Sequence, residues 1–468
     1  VPQIPVTLIK GDYQGSDVDY RDNLPVNMYA VPREIKGVQG YMIGFPGLTS
    51  FGTSLGIDRG GIYNDRQSNH FRVSGTRFIY VDADGTVTNV GEITGTGQAA
   101  MPFSFNTQAV ITDGKMWLYE SVGGLAEVTD ADLGDPIDGV WINGYYFLTD
   151  GDYVYHTDIA DETAIDPLKF ATAEFMPDTT LGLLKTSDNK VAVFGRYSTE
   201  FFADVAQANF AFTRVESRAL KLGIVATHAK CELMNDIFMV GGPRDEGVGV
   251  YRISASQPQK VSTREVDKYI GEYTETELAD IRMEVRSQDN ITFILIHLPD
   301  YVLCFNETIA RQFGLQNAWS LLKSDVENDT PFRGINTIFD PRAGEWICGD
   351  KTTTYLGKLD DTVPTHYTTQ VEWILYTPFV NLEKMSIDEV ELETIPGYSN
   401  SVETVGLSMT YDGVLWGTEY WSDYSEVGTY DTNLIIRRLG YVEDWVGFKL
   451  RGASTAKMAF SQMKVTAS

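Results

Sequence analysis

From residue 51 to about 360 the chain alternates short apolar runs with tight-turn dipeptides. RFIYVDADGTVTNV turns at Asp84-Gly85, AVITDGKMWLYE at Asp113-Gly114 and VWINGYYFLTD at Asn143-Gly144. Asp-Gly and Asn-Gly accept the positive φ of two-residue hairpin turns, whose twist suits the flanking strands. Looser versions follow near Asp188-Asn189, Asn235-Asp236, Asp289-Asn290 and Ala343-Gly344. The turns return roughly every 30 residues at first and every 45–55 later, a spacing suited to the blades of a β-propeller. The repeat is irregular and carries no WD or kelch signature, so a sandwich or another all-β stack stays open on the residues alone.

The flanks read differently. Pro2, Pro5, Pro25, Pro32 and Pro46 interrupt residues 1–50, each removing a backbone donor and fixing φ. This predicts an extended N-terminal arm. Beyond the crossover LDDTVPTHYTTQ (about 360–370) the strands lengthen. Apolar and acidic side chains alternate in IDEVELE, as in a strand with one wet face, and Asp412-Gly413 marks a hairpin turn. The expected organisation is an arm over 1–50, a β-propeller-like domain over 51–360 and a C-terminal antiparallel β-sandwich over 361–468. The fold class is all-β with very little helix. Thr274 and Glu277 form a capping-box pattern that predicts one short helix near 274–285, with a weaker candidate near 130–138.

Composition narrows the function classes. The balance of 37 basic against 65 acidic side chains gives a net charge of −28. Gripping phosphates takes clustered Lys and Arg that displace counterions, so a DNA-gripping surface is disfavoured. An acidic wall would repel a polyanion and let it slide past. Cys231, Cys304 and Cys348 are odd in number and widely spaced, which indicates neither a disulfide framework nor a zinc site. The first residues lack the basic and apolar regions of a signal peptide, and no apolar run reaches the roughly 18 residues of a membrane span. The chain is expected to be soluble and unexported, without membrane insertion of its own.

The search for chemistry finds little. His70, His156, His228, His297 and His366 form no HExxH motif. GxxxxGK[ST] is absent, and GTGQAA at 95–100 lacks the third glycine of a dinucleotide loop. Asp82, Asp84 and Gly85 give part of a calcium loop, but position 91 is glycine where glutamate is required. No catalytic, cofactor-binding or metal-ligating residue is assigned. Carboxylates are plentiful, so a propeller glycoside hydrolase remains the enzyme alternative, with TYDGVLWG (410–417) a faint aspartate-box echo. The 25 tyrosines and 8 tryptophans keep a carbohydrate- or receptor-binding propeller open as well.

Two stretches resemble a known family. In DYRDNLPVNMYAVPREIKGVQGYMIGFPGLTSFG (19–52) the elements LPVNM, Pro-x-Glu-Ile and GY…FPGLT are similar to the tail-hub protein of short-tailed enteric bacteriophages, also called a packaged-DNA stabilisation protein or tail accessory factor. Between 266 and 359, YTETELA, IHLPDYVLCF, QNAWSLLK, FRGIN and CGDKTTTYLGKL follow the same family's order. LYTPF (375–379) and WVGFKLR (445–451) also look similar, while 55–260 match weakly.

The resemblance implies a non-enzymatic virion protein, largely β, with a propeller-like portion and sandwich parts. It implies a homohexameric nozzle ring beneath the portal–adaptor ring, assembled in the host cytoplasm and placed in the virion tail. Such a ring extends the DNA channel, retains the packaged genome with a tail needle or plug, and conducts it at ejection without sequence-specific binding. Tailspikes are a further expected neighbour. Within the arm, Leu24, Pro25, Val26, Asn27, Met28, Pro32, Glu34 and Ile35 are the candidate subunit or adaptor contact. The alternative is that this segment closes a blade of its own chain.

Overall fold

The computed structural model describes residues 3–6, 8, 23–35, 37–159, 161–207, 209–288, 290–325, 330–395, 403–424 and 433–468. Seven antiparallel sheets follow one another along the chain as blades. Their first strands are Asp58–Asn64, Thr107–Thr112, Asp138–Ile142, Thr180–Lys185, Lys230–Leu233 (with Gly223–Ile224), Arg282–Gln288 and Gly334–Asp340. We number the blades 1 to 7 in that order. Blade 2 has three strands and the others four or five.

The apolar runs are continuous because each blade is buried on both faces. In blade 4, Val191 and Val193 enter a cluster with Phe147 and Val154 of blade 3. Ala192 and Phe194, between and after them in sequence, enter a cluster with Ile237 and Met239 of blade 5. Successive side chains of a strand point to opposite faces, so a run such as VAVF fills both seams. Blade 6 repeats the arrangement: Ile291, Phe293 and Leu295 face Cys348 and Leu359 of blade 7, whereas Ile294 and Ile296 join the cluster that holds Phe238 and Val240 of blade 5.

The ring closes with a strand from the other end of the chain. Blade 7 has the order Gly334–Asp340, Glu345–Asp350, Tyr355–Asp360 and then Gly47–Thr53, which pairs antiparallel with Tyr355–Asp360. The crossover after 360 folds back on this closing strand: Leu48 N donates to Thr365 O and Tyr367 N to Leu48 O. The strand also touches blade 1, since a Cβ on Gly85 would lie 2.0 Å from Phe51 O.

The C-terminal part is a two-sheet sandwich. One sheet holds Met385–Thr394, Leu434–Val442 and Ala459–Ala467, extended by Gln3–Val6, Met28–Val31 and Tyr41–Gly44 from the N-terminus. The other holds Glu372–Tyr376, Val380–Asn381, Glu403–Thr410, Tyr420–Tyr424 and Trp445–Ala453. The N-terminal 50 residues therefore supply strands to both the sandwich and blade 7.

Helix is as scarce as expected, but its placement differs. The α-helices are Arg264–Gly271 and Glu307–Phe313. The capping box does form, with Thr274 N and Oγ1 donating to Glu277 Oε2, yet it opens only a 3-10 turn over Glu277–Asp280. The strand beginning at Arg282 takes the remaining residues. Residues 130–138 form a turn in which Leu133 N donates to Asp130 O, not a helix. Of the hairpin turns, Asp113-Gly114 and Asn143-Gly144 have positive φ at both positions. The turn assigned to Asn235-Asp236 lies one residue earlier, with Met234 at φ 50° and Asn235 at φ 71°. Residue 289, in the Asp289-Asn290 turn, lies outside the described residues.

Gly85 (φ +86°) and Gly344 (φ +71°) share a left-handed backbone, but an added Cβ on Gly344 meets nothing within 4 Å. Each substitution to alanine costs about 1 kcal/mol for the backbone conformation. Gly85→Ala must in addition push the closing strand away. Urea unfolding is expected to show Gly85→Ala less stable than Gly344→Ala by about 1–3 kcal/mol.

Candidate functional site

Two features outside the apolar seams could carry function: the polar groups at the inner ends of the blades and the exposed apolar residues. The inner polar groups link blade to blade. Asp58 in blade 1 takes Arg72 Nε at 2.6 Å, and its other oxygen takes Asn336 Nδ2 of blade 7, also at 2.6 Å. Arg72 Nη2 reaches Asn336 O at 3.0 Å. Glu284 in blade 6 accepts from Thr337 N at 3.0 Å and Thr337 Oγ1 at 2.8 Å, both in blade 7. Asp138 in blade 3 accepts from Leu183 N of blade 4 at 2.7 Å and Lys230 Nζ of blade 5 at 2.8 Å. Arg59 Nη2 of blade 1 donates to Thr112 Oγ1 of blade 2 at 2.8 Å.

These contacts set the protonation states. Burial raises the Asp58 carboxyl against the opposing pull of Arg72. Burial also opposes ionisation of Glu284, but His297 and the two Thr337 donors outweigh it and bring its carboxyl down to about 2. Desolvation lowers all five histidines: His70 and His297 to about 4, His366 to about 3, and His156 and His228 in the same direction. They are neutral at pH 7, and all but the half-buried His228 are core residues.

Little of this is poised for chemistry. Asp58, Asp138 and Glu284 are all occupied by cross-blade donors. No group of three or more His, Cys, Asp or Glu among the described residues could hold a metal ion. Cys231, Cys304 and Cys348 are free and buried, and burial pushes the Cys304 and Cys348 thiols up to about 12. Asp412 is a turn residue whose Oδ1 accepts from Val414 N and Leu415 N. Asp84 caps its own hairpin through Thr86 N.

The candidate contact segment divides in two. Leu24, Val26, Asn27 and Met28 are buried within their own chain. Val26 bridges Leu321 of blade 6 and Ile374 of the sandwich, and Asn27 Nδ2 donates to Lys323 O and Glu372 O. Pro25, Pro32 and Ile35 are half-buried, and Glu34 is exposed. Sequence reasoning missed the exposed apolar residues: Tyr411, Val414, Leu415, Tyr441 and Trp445 on the sandwich, and Tyr153, Leu168 and Phe170 on blade 3. Their apolar character alone did not distinguish them from core.

A seven-bladed ring with occupied inner carboxylates, joined to a sandwich and bearing exposed apolar surfaces, defines a structural scaffold. Comparison with known proteins places it more closely. A family model described as bacteriophage P22 Gp10, beta-propeller, matches residues 2–364, and one described as bacteriophage P22 Gp10, beta-sandwich, matches residues 372–468. The chain belongs to the P22 Gp10 family. The tail hub protein gp10 of Salmonella phage P22 is 29% identical, with 99% of each chain covered. The protein is thus a structural component of a phage tail and not an enzyme. Among solved structures, a virginiamycin B lyase from Staphylococcus aureus (10% identity, 65% of this chain and 94% of that one, TM-score 0.41) and the N-terminal domain of Nup159 (11%, 72% and 99%, TM-score 0.42) are distant.

The buried histidines predict a pH dependence. Their folded pKa values lie below the unfolded value near 6.5, so as pH falls from 6.5 to 4 the unfolded chain binds protons that the folded chain does not. Stability is present above 6.5 and is lost through this window, each histidine contributing up to about 1.4 kcal/mol per pH unit. Urea unfolding between pH 7.5 and 4.5 is expected to show this loss, and His366→Gln to reduce the slope by about one proton.

Proposed function

We propose that six copies of this chain close into a ring beneath the portal and adaptor rings of a short-tailed phage. The ring extends the DNA channel, docks a tail needle or plug at its far end and lets the genome pass at ejection. The observation that carries this reading is the match to a tail hub protein over 99% of both chains. The assembly belongs in the host cytoplasm. Ring closure takes a heterologous interface, two different patches meeting head to tail. The exposed apolar residues of the sandwich and of blade 3 are surfaces that such closure would cover. A net charge of −28 favours a lumen that repels DNA over one that binds it. In this reading residues 51–360 act as the propeller and 361–468 as the sandwich, with the arm over 1–50 serving both. Tailspikes are a further neighbour.

Mass measurement and imaging of the purified chain, alone and with its portal–adaptor complex, test the ring. Six copies added to the complex are the expected result. A chain that never joins the complex overturns the reading.

The arm contact is assigned to Pro32, Glu34 and Ile35. Glu34→Lys with Ile35→Asp is expected to weaken docking at least about tenfold, a change of roughly 1.4 kcal/mol, with an unchanged melting temperature. Met28→Ala, in the core, is expected to lower stability by about 2–5 kcal/mol. Wild-type docking by the surface double variant would mean that the segment packs only within its own chain.

A further inference from the structure

Blade 6, the sandwich and the N-terminal segment meet around a small cavity of about 20 Å³. Arg286 of blade 6 and Trp373 of the sandwich both line it. Arg286 is 1% exposed, and its Nε and Nη1 have no hydrogen-bond partner among the described residues. The indole Nε1 of Trp373, a residue 4% exposed, has none either. Two residues with unpartnered donors, one of them charged, thus line one buried space.

Among the described residues lining the cavity, none is Asp or Glu to neutralise this charge. The Arg286 guanidinium carbon lies 5.5 Å from the Phe45 ring centre and 5.6 Å from that of Phe293. Those rings attract the cation but leave Nε and Nη1 without an oxygen acceptor. The other polar groups on the wall are engaged. Asn27 Nδ2 is bonded to Lys323 O and Glu372 O, its Oδ1 accepts from Lys323 N, and His366 Nδ1 pairs with Ser324 Oγ at 2.7 Å. Elsewhere in the propeller the chain supplies a carboxylate to a buried arginine, as with Asp58 beside Arg72.

A buried charge without a counter-charge is costly, and buried charges are ordinarily paired and hydrogen-bonded. The volume admits one water-sized particle. A single halide ion is only somewhat larger than a water and accepts from several N–H donors at once, whereas sulfate or a carboxylate ligand is far too large. We propose that this cavity is a binding site for a single small monovalent anion, chloride in ordinary solution, held by the Arg286 guanidinium and the Trp373 indole N–H. The ion then ties together three parts of the chain that are far apart in sequence: the N-terminal segment, blade 6 and the sandwich.

The test uses the full chain with bromide as the probe. Crystals grown in sodium bromide are expected to show an anomalous peak between the Arg286 guanidinium and Trp373 Nε1. At ionic strength held constant with glutamate, the melting temperature is expected to rise by about 1–2 °C for each tenfold increase in chloride or bromide above the Kd. Trp373→Phe keeps an aromatic ring in place and removes one donor, so it should move this response to roughly tenfold higher halide, the loss of about one hydrogen bond to a charged partner. Arg286→Met should abolish the response. If that variant does not fold, the bromide peak and the Trp373→Phe shift still decide. A cavity without a bromide peak, or a melting temperature that tracks ionic strength and not halide, means a water occupant and overturns the proposal.

Discussion

The structure depends on burying each blade on both faces. A strand such as Val191–Gly195 has no polar face to turn to solvent, so a blade with only one neighbour would leave an apolar face wet. A ring removes every such end, and the closing strand Gly47–Thr53 completes it by hydrogen-bonding to Tyr355–Asp360. That pairing joins residues about 300 apart in sequence, a long loop whose closure entropy grows only slowly with length. The ring is then held by a short strand wedged between its partner and the Gly85 turn.

The polar groups at the inner ends follow from the same geometry. Blades converge there, and their polar groups must find partners away from bulk water. Asp58, Glu284 and Asp138 find them in adjacent or nearby blades. In a hydrolase a carboxylate must be free to meet substrate, whereas here each is spent on joining blades. Four of the five histidines belong to this core as well, which is why residues that elsewhere titrate near neutrality serve as uncharged packing groups.

Much of the fold was legible because its local signals are strong. Asp113-Gly114 and Asn143-Gly144 read directly as hairpin turns, since few other dipeptides accept two positive φ values. Ala255-Ser256 makes the same kind of turn, with φ of 47° and 64°, and escaped notice because neither residue signals it. The helices Arg264–Gly271 and Glu307–Phe313 are each at most eight residues long, too short for periodicity to show. The irregular spacing of the hairpins has a physical source here, because both helices are inserted within or beside blades 5 and 6. The family resemblance was carried by LPVNM and its neighbours, which turn out to be seam residues between propeller and sandwich. Which surfaces stay exposed was not legible, because Val414 and Leu415 look in sequence like any buried pair.

The position of that seam bears on how the subunit could assemble. Val26 bonds to Ile374 of the sandwich and its neighbours Pro25 and Asn27 bond to Leu321 of blade 6, while Gln3–Val6, Met28–Val31 and Tyr41–Gly44 complete a sandwich sheet and Gly47–Thr53 completes blade 7. One N-terminal segment therefore satisfies edges in both units, so neither needs a strand from a neighbouring copy to finish its sheet or its ring. A subunit of this kind can fold before it docks. In the proposed ring, contacts between copies would then draw on side chains already at the surface, such as Tyr411, Tyr441 and Trp445 of the sandwich, and not on exchange of backbone between chains.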